Sequence, residues 1–323
     1  MRDRLGRNID YLRISVTDRC NLRCVYCMPA EGVSYRAHGE ILSYEEIVHL
    51  VSAGAKLGIR RLRLTGGEPL VRTGITELIK QLKAIPGIED LSLTTNGILL
   101  TPLAEGLKAA GLNRVNISLD TLRPERFAAI TRCDGLEAAI RGIKAALTAG
   151  LNPVKINTVA LRGVNDDEIA DLAALTLKYP LHVRFIEVMP LGADVAWAKN
   201  HALPLAEVKA KVESVGRLVP ATVTGAGPAQ AFRYAAGLGT VGFIGALSHG
   251  FCSRCNRLRL TADGKLKPCL ASDEEVDVKQ ALRQGAGEEE LKALFLRALD
   301  LKPSQHQLQQ YEEHERIMCQ IGG

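Results

Sequence analysis

The chain has 323 residues, of which 46% are apolar and 24% charged, with a net charge of +5. That length suits a large α/β domain with a smaller partner, and no apolar run is long enough to span a bilayer. Aromatic residues are only 4% of the chain, with Trp197 the single tryptophan, which argues against an aromatic stacking platform for nucleic acid. The modest cationic excess suits an anionic small ligand.

The first residues, Met1-Arg-Asp-Arg4, lack the apolar stretch of a secretory signal. The expected compartment is therefore the cytoplasm, where thiols stay reduced and cysteines serve as metal ligands rather than disulfides.

From residue 10 to about 190, short strand patterns alternate with amphipathic helices. The sequence predicts strands over 11–16, 61–65, 91–95, 115–119, 154–159 and 182–188. Ser43-Tyr-Glu-Glu46 reads as a capping box ahead of Ile47, Leu50 and Val51 on one helical face. Ile75, Leu78, Ile79 and Leu82 repeat at helical spacing. Thr101-Pro102 reads as an N-cap with proline in the first turn, and Asn165 with Glu168 as a further cap. Repeated strand–helix alternation implies a parallel sheet.

Every second strand residue is polar: Arg13/Ser15, Arg61/Arg63/Thr65, Ser92/Thr94, Asn116/Ser118 and Lys155/Asn157. The intervening residues are Leu, Ile or Val. A period of two puts these sets on opposite faces, whereas a parallel sheet covered on both sides would be apolar throughout. The expected fold is α/β, a partial (βα)6 TIM-like barrel with a polar lumen, over residues 1–220. A one-sided sheet with a solvent face is the alternative. Beyond it, 204–215 reads as a helix, the Gly/Pro-rich stretch 223–229 as a linker, and 240–244 and 258–261 as strands. Asp263-Gly264 signals a hairpin turn. These make a smaller C-terminal α+β cap over 221–323.

Six of the eight cysteines form two triplets, Cys20/Cys24/Cys27 directly after the first strand and Cys252/Cys255/Cys269 near the C-terminus. Three thiolates hold a cubane [4Fe–4S] cluster and leave one iron open, and an open metal position marks a reactive site. Zinc is the structural alternative. Cys133 and Cys319 read as ordinary free thiols. Gly66-Gly67-Glu68-Pro69 follows the second strand, where glycines let a ligand approach the backbone, and barrel enzymes carry their catalytic loops at that rim.

CxxxCxxC after the first strand and Gly-Gly-Glu-Pro after the second resemble the radical S-adenosylmethionine (SAM) superfamily. That resemblance implies SAM chelated at the open iron and cleaved by one electron to a 5′-deoxyadenosyl radical, chemistry that belongs to the cofactor while the protein supplies placement. Three further stretches resemble the GTP 3′,8-cyclase family: Leu12-Arg13-Ile-Ser-Val-Thr-Asp-Arg-Cys20, Cys252-Ser-Arg-Cys255-Asn-Arg257-Leu-Arg259 and the terminal Ile321-Gly322-Gly323. Leu22 departs from the pattern, where Phe is expected.

By that resemblance the chain carries two [4Fe–4S] clusters on the two triplets, and His249 is not a ligand. Tyr26, Gly67, Ser118 and Met189 line the SAM site. Arg63, Thr94, Lys155, Arg257 and Arg259 contact GTP. Arg13, Arg61 and Arg184 share the polar face, and so many convergent cations call for a multiply charged anion such as a triphosphate. Arg257, Arg259, Gly322 and Gly323 are the implied catalytic residues, the last two as a tail that orders in the loaded site. The implied reaction removes hydrogen from C3′ of GTP and joins C3′ to C8. Its product, 3′,8-cyclo-7,8-dihydroguanosine triphosphate, opens molybdenum cofactor biosynthesis. Implied partners are a reductase or a flavodoxin- or ferredoxin-type electron donor, and the next enzyme, cyclic pyranopterin monophosphate synthase. A homodimer is one candidate assembly; neither nucleic acid nor membrane is expected. Two rivals are a peptide- or RNA-modifying radical SAM enzyme with the second cluster as an electron relay, and a non-enzymatic electron carrier. A relay calls for a fourth cysteine, for which Cys319 is the spare candidate.

Overall fold

The computed structural model describes residues 1–191, 194–225, 227–248, 250–308 and 315–322; His249 and Gly323 lie outside the described residues. Six strands alternate with helices: β1 (Tyr11–Ser15), β2 (Arg61–Thr65), β3 (Asp90–Thr95), β4 (Arg114–Ser118), β5 (Lys155–Ala160) and β6 (His182–Glu187). They pair in chain order and all run parallel. The later strands are β7 (Leu218–Pro220), β8 (Gln230–Tyr234), β9 (Thr240–Ile244), β10 (Arg257–Leu260), β11 (Lys265–Lys267) and β12 (Val276–Asp277).

Those strands extend the same sheet on both flanks. β10 lies parallel to β1 and β9 parallel to β6, with antiparallel β11 and β12 beyond the first and β8 and β7 beyond the second. The result is one open 12-stranded sheet with β12 and β7 at its edges. The chemistry of β9 and β10 explains the join. Val241, Phe243, Leu258 and Leu260 are buried and continue the apolar face that Leu12, Leu62, Leu93, Ile117, Ile156 and Val183 present to the helices.

The capping box forms as the sequence predicts: Glu46 N donates to Ser43 Oγ at 3.1 Å and Ser43 N donates to Glu46 Oε2 at 2.6 Å. It starts the helix Tyr44–Lys56, which buries Ile47, Leu50 and Val51. Gly54 in that helix meets Phe295, where a Cβ would come within 2.9 Å of the ring. Two expected caps are not caps. The helix after Thr101-Pro102 spans Ala104–Ala109 with Leu103 at its N-cap and no side-chain bond there. Asn165 instead ties loops together: its Nδ2 donates to Asp120 O and Val159 O, and its Oδ1 accepts from Leu161 N. Glu168 accepts from Thr121 Oγ1 and Leu122 N. Both side chains satisfy buried loop backbone after β4 and β5, which outweighs a local cap. Among the described residues no helix is long and apolar enough to cross a membrane.

Candidate active site

A cavity of about 280 Å³ opens at the loops after the parallel strands and runs down the polar face of the sheet. Cys20, Cys24 and Cys27 line it together with Gly67, Tyr26, Ser118 and Met189. Arg13, Arg63, Thr94, Arg184, Arg257 and Arg259 line it as well.

Backbone packing sets the wall beside the first triplet. A Cβ at Gly66 would sit 2.6 Å from Thr17 O, and one at Gly67 only 2.3 Å from Arg19 O. Gly67 N donates to Thr17 O at 2.7 Å and Glu68 N to Arg19 O at 2.8 Å. The two glycines are therefore required where the β2 loop presses on the loop that carries Cys20. Glu68 completes the staple, accepting from Leu70 N, Thr95 Oγ1 and Asn96 N. Burial pushes its carboxyl up to about 7. Tyr26 OH donates to Asp120 Oδ2 at 2.5 Å, while Asp120 Oδ1 accepts from Val159 N at 2.8 Å. Burial raises the Asp120 carboxyl to about 6. Asp120 escaped the sequence reading. Its only signal is an acid directly after a strand end.

The cations gather by strand register. Arg13 of β1 lies level with Arg259 of β10 on one side and Arg63 of β2 on the other. Burial and these two neighbours push Arg13 well below its ordinary value. Burial, then Arg63, lowers Arg184 to about 9, and burial, then Arg257, lowers Arg259 to about 10. Lys155 lines an adjoining pocket of about 190 Å³ that shares Arg184 with the main cavity. Burial, then Arg184 and Arg114, lowers Lys155 to about 7. Its Nζ donates to Thr224 O at 2.6 Å. The stretch expected as a linker therefore closes over this pocket, and a Cβ at Gly225 would meet Lys155 Nζ at 2.9 Å.

Arg61 does not join the group. It ion-pairs with Asp10 at the N-terminal end of β2 and lines neither pocket. Arg114, which the alternation did not single out, takes its place beside Lys155 and ion-pairs with Asp90. A buried set of like charges is costly without an anion. Thr94 Oγ1, Tyr11 OH and Arg184 Nε are buried without a hydrogen-bond partner among the described residues, so polar capacity remains for a ligand.

Of the second triplet, Cys252 lies in the turn Cys252–Arg254 and Cys255 directly after it, ahead of β10, while Cys269 follows β11. Cations from both ends of the chain hold the triplet's backbone. Arg7 Nη1 donates to Cys252 O at 2.9 Å and Arg7 Nη2 to Pro303 O at 2.8 Å. Lys302 Nζ donates to Arg257 O at 2.8 Å and Pro268 O at 2.7 Å. Burial pushes the Cys255 thiol up, but Arg257 and Lys302 outweigh it and bring it down to about 7. Cys252 lies within electrostatic reach of both Cys255 and Cys269.

The first triplet differs: burial pushes Cys20 up to about 11 and raises Cys24 further. A free thiolate is unfavourable there, and a coordinated metal deprotonates such a thiol. A cubane distributes its thiolates over separate irons, and Cys20, Cys24 and Cys27, which line one cavity, would supply three of them.

The segment around Met318 and Cys319 reaches the main cavity. The short helix Met318–Ile321 buries Cys319 and Ile321, and Met318 and Cys319 line the cavity. Gly322 has φ 75°, and a Cβ there would lie 2.5 Å from Thr65 Oγ1. Its carbonyl accepts from Thr65 Oγ1 at 3.0 Å and from Arg13 Nη2 and Arg259 Nη1 at 3.2 Å each. Cys319, expected as an ordinary free thiol, is buried and lines the same cavity as Cys27.

A parallel half-barrel with a cysteine triplet after its first strand and a glycine pair after its second defines a radical SAM protein. Residues 14–176 match the Radical SAM superfamily, and 181–308 match Molybdenum Cofactor Synthesis C. The GTP 3′,8-cyclase of Pelotomaculum thermopropionicum is 54% identical over 325 aligned positions, spanning 100% of both chains. That of Moorella thermoacetica is 54% identical over 324, also spanning 100% of both. The chain belongs to the GTP 3′,8-cyclase family. Its fold is similar to that of Streptococcus suis SuiB bound to S-adenosylmethionine, with a TM-score of 0.61 at 14% identity, covering 89% of this chain and 68% of that one. Native anSMEcpe with bound AdoMet gives 0.56 at 14% identity, covering 92% and 82%.

Proposed function

We propose that this chain is a radical SAM lyase that converts GTP to (8S)-3′,8-cyclo-7,8-dihydroguanosine 5′-triphosphate, the first step of molybdenum cofactor biosynthesis. The observation that carries this reading is a single cavity with the first cysteine triplet at its rim and buried arginines along its floor. When bound, the first cluster and SAM supply a one-electron route to a carbon-centred radical.

The residues would divide the work as follows. Cys20, Cys24 and Cys27 hold the first cluster, and Tyr26, Gly67, Ser118 and Met189 form the SAM wall. Cys252, Cys255 and Cys269 hold a second [4Fe–4S] cluster, next to which Arg257 and Arg259 reach the substrate. Arg13, Arg63, Thr94, Lys155 and Arg184 take the rest of GTP through charge-assisted bonds. Gly322 and Gly323 form a tail without side chains that closes the loaded site. The cavity excludes water from the reacting carbon.

The wider setting is read in the same way. The enzyme works in the cytoplasm, takes electrons from a flavodoxin- or ferredoxin-type donor or a reductase, and passes its product to cyclic pyranopterin monophosphate synthase. The relay alternative would need Cys319 at the second cluster, yet Cys319 lines the cavity with Cys20, Cys24 and Cys27 of the first triplet.

Anaerobically reconstituted protein incubated with SAM, reductant and GTP tests the reading. The cyclised triphosphate and 5′-deoxyadenosine should appear together, both by mass spectrometry. Deoxyadenosine without any cyclised nucleotide would sink it.

A further inference from the structure

Among the described residues, Arg132 is the only one other than glycine with a positive φ, at φ 55° and ψ 29°. An L side chain occupies that left-handed region at a cost that glycine avoids. Arg132 directly follows the helix Pro124–Thr131, a place that glycine or asparagine usually fills. The bonds of its side chain leave that helix. Arg132 Nη1 donates to Arg23 O at 3.0 Å and to Met28 O at 3.1 Å, and these two carbonyls stand on either side of Cys24 and Cys27. The helix end grips the same segment: Arg23 N donates to Thr131 O at 2.8 Å and Val25 N to Ile130 O at 2.9 Å. Carbonyls left over in the last helical turn are thus satisfied by the amides that flank Cys24. Inside the segment, Cys27 N and Met28 N both donate to Cys24 O, at 2.9 and 3.2 Å. Arg23 in turn donates to Cys20 O at 2.8 Å and Leu22 O at 3.0 Å, so the hold on Arg23 extends to the third cysteine.

We propose that Arg132 is a positioning residue of the first triplet. One guanidinium nitrogen clasps the two ends of the turn Arg23–Met28, so that Cys24 and Cys27 are already placed before a cluster binds. The strained backbone is retained because it carries the guanidinium across that turn. Ligands ordered in advance hold a metal group better than ligands that must be ordered on binding. That the group is an iron–sulfur cluster rests on the function proposed above; the clasp itself does not.

Hydrogen exchange on the full, cluster-free chain, read by mass spectrometry, tests the clasp. Arg132→Gly removes the donors and relieves the strain, whereas Arg132→Met removes the donors and keeps the strain. In both, the amides of residues 20–28 should exchange about tenfold faster, the equivalent of one charge-assisted hydrogen bond. Exchange elsewhere in the sheet and the thermal midpoint should match wild type. Arg132→Lys should recover most of the protection, since one ammonium can serve two carbonyls. Unchanged exchange over 20–28 in both variants, or a loss of protection spread over the whole chain, overturns the clasp. A second measurement follows iron release to a chelator from the reconstituted protein, with Cys24→Ala as the control. Arg132→Gly should release about four irons severalfold faster than wild type, together with the reduced-cluster paramagnetic signal that SAM alters, while the rest leaves at the wild-type rate. If Arg132→Gly releases iron as wild type does and Cys24→Ala lacks that cluster, the positioning role fails. If Cys24→Ala keeps the full iron complement, the reading of the first triplet as a cluster site fails, and the exchange result still decides the clasp.

Discussion

Thr65 Oγ1 donates to the Gly322 carbonyl at 3.0 Å, joining the last residue of β2 to the chain's end across 257 positions. Arg13 and Arg259 give hydrogen bonds to the same oxygen. The tail thus occupies donors on the floor of the cavity that is proposed to receive GTP. Ligand and tail must share or exchange these donors, which couples the position of the chain terminus to the loading of the site.

Removal of Gly322 and Gly323 should leave iron content nearly unchanged and should not weaken GTP binding, because it frees Thr65, Arg13 and Arg259 for the ligand. Deoxyadenosine formation in the presence of GTP should fall strongly, since the loaded cavity loses its closure. Turnover at the full-length rate would show that the tail has no part in triggering the reaction.

Two arginines from the same alternating pattern should behave differently. Arg259→Ala removes a charge-assisted contact from the cavity and should weaken GTP binding by about 1.5–3 kcal/mol, with both clusters assembled. Arg61→Ala should leave GTP affinity untouched and cost at most about 1 kcal/mol of stability, because its ion pair with Asp10 is partly exposed. Equilibrium dialysis and thermal melting separate the two. Equal losses of affinity would place Arg61 at the substrate after all.

The contrast between these arginines marks what was legible in the sequence. Parity along a strand shows which face a residue takes, so Arg61 and Arg63 were read alike; it does not show how far along the lumen a residue sits. The six parallel strands were readable because a wet face imposes a period of two. The pairing of β9 with β6 and of β10 with β1 was not, since no local signal names a distant partner strand. Asp120 and Arg7 matter through contacts remote in sequence, with Tyr26 and Cys252 respectively. Asn165 and Thr101 carried genuine cap chemistry, which the loops used elsewhere or left unused.

Lys155 should make GTP binding depend on pH. In the free enzyme, burial and then Arg184 and Arg114 hold it at about 7, so it is largely neutral above that pH. A triphosphate favours the charged form and raises its pKa, so binding between about pH 7 and 8 takes up a proton, and affinity falls as pH rises through this range. Titration calorimetry in buffers of different ionisation enthalpy reports that uptake. Lys155→Met should bind more weakly and lose most of the uptake. An unchanged proton count in the variant would assign the linkage to another group.

Arg7 offers the sharpest separation of the two proposed clusters. It lines no part of the main cavity, where Cys20, Cys24 and Cys27 lie. Its guanidinium holds the carbonyls of Cys252 and Pro303, and its Nε donates to Asp3 Oδ2 at 2.5 Å in a pair whose side chains are 5% and 1% exposed. Arg7→Ala would strand the Asp3 carboxylate in a buried site, at a cost of about 3–5 kcal/mol, and would release the backbone of the second triplet. Iron in the reconstituted variant should fall from about eight per chain toward about four, and the first cluster should still cleave SAM at a low basal rate without GTP. Arg7→Lys, which restores the charge and part of the bonding, should recover most of the lost iron. If Arg7→Ala keeps the full iron complement, the arginine serves the N-terminal fold alone and the second triplet holds its geometry without it.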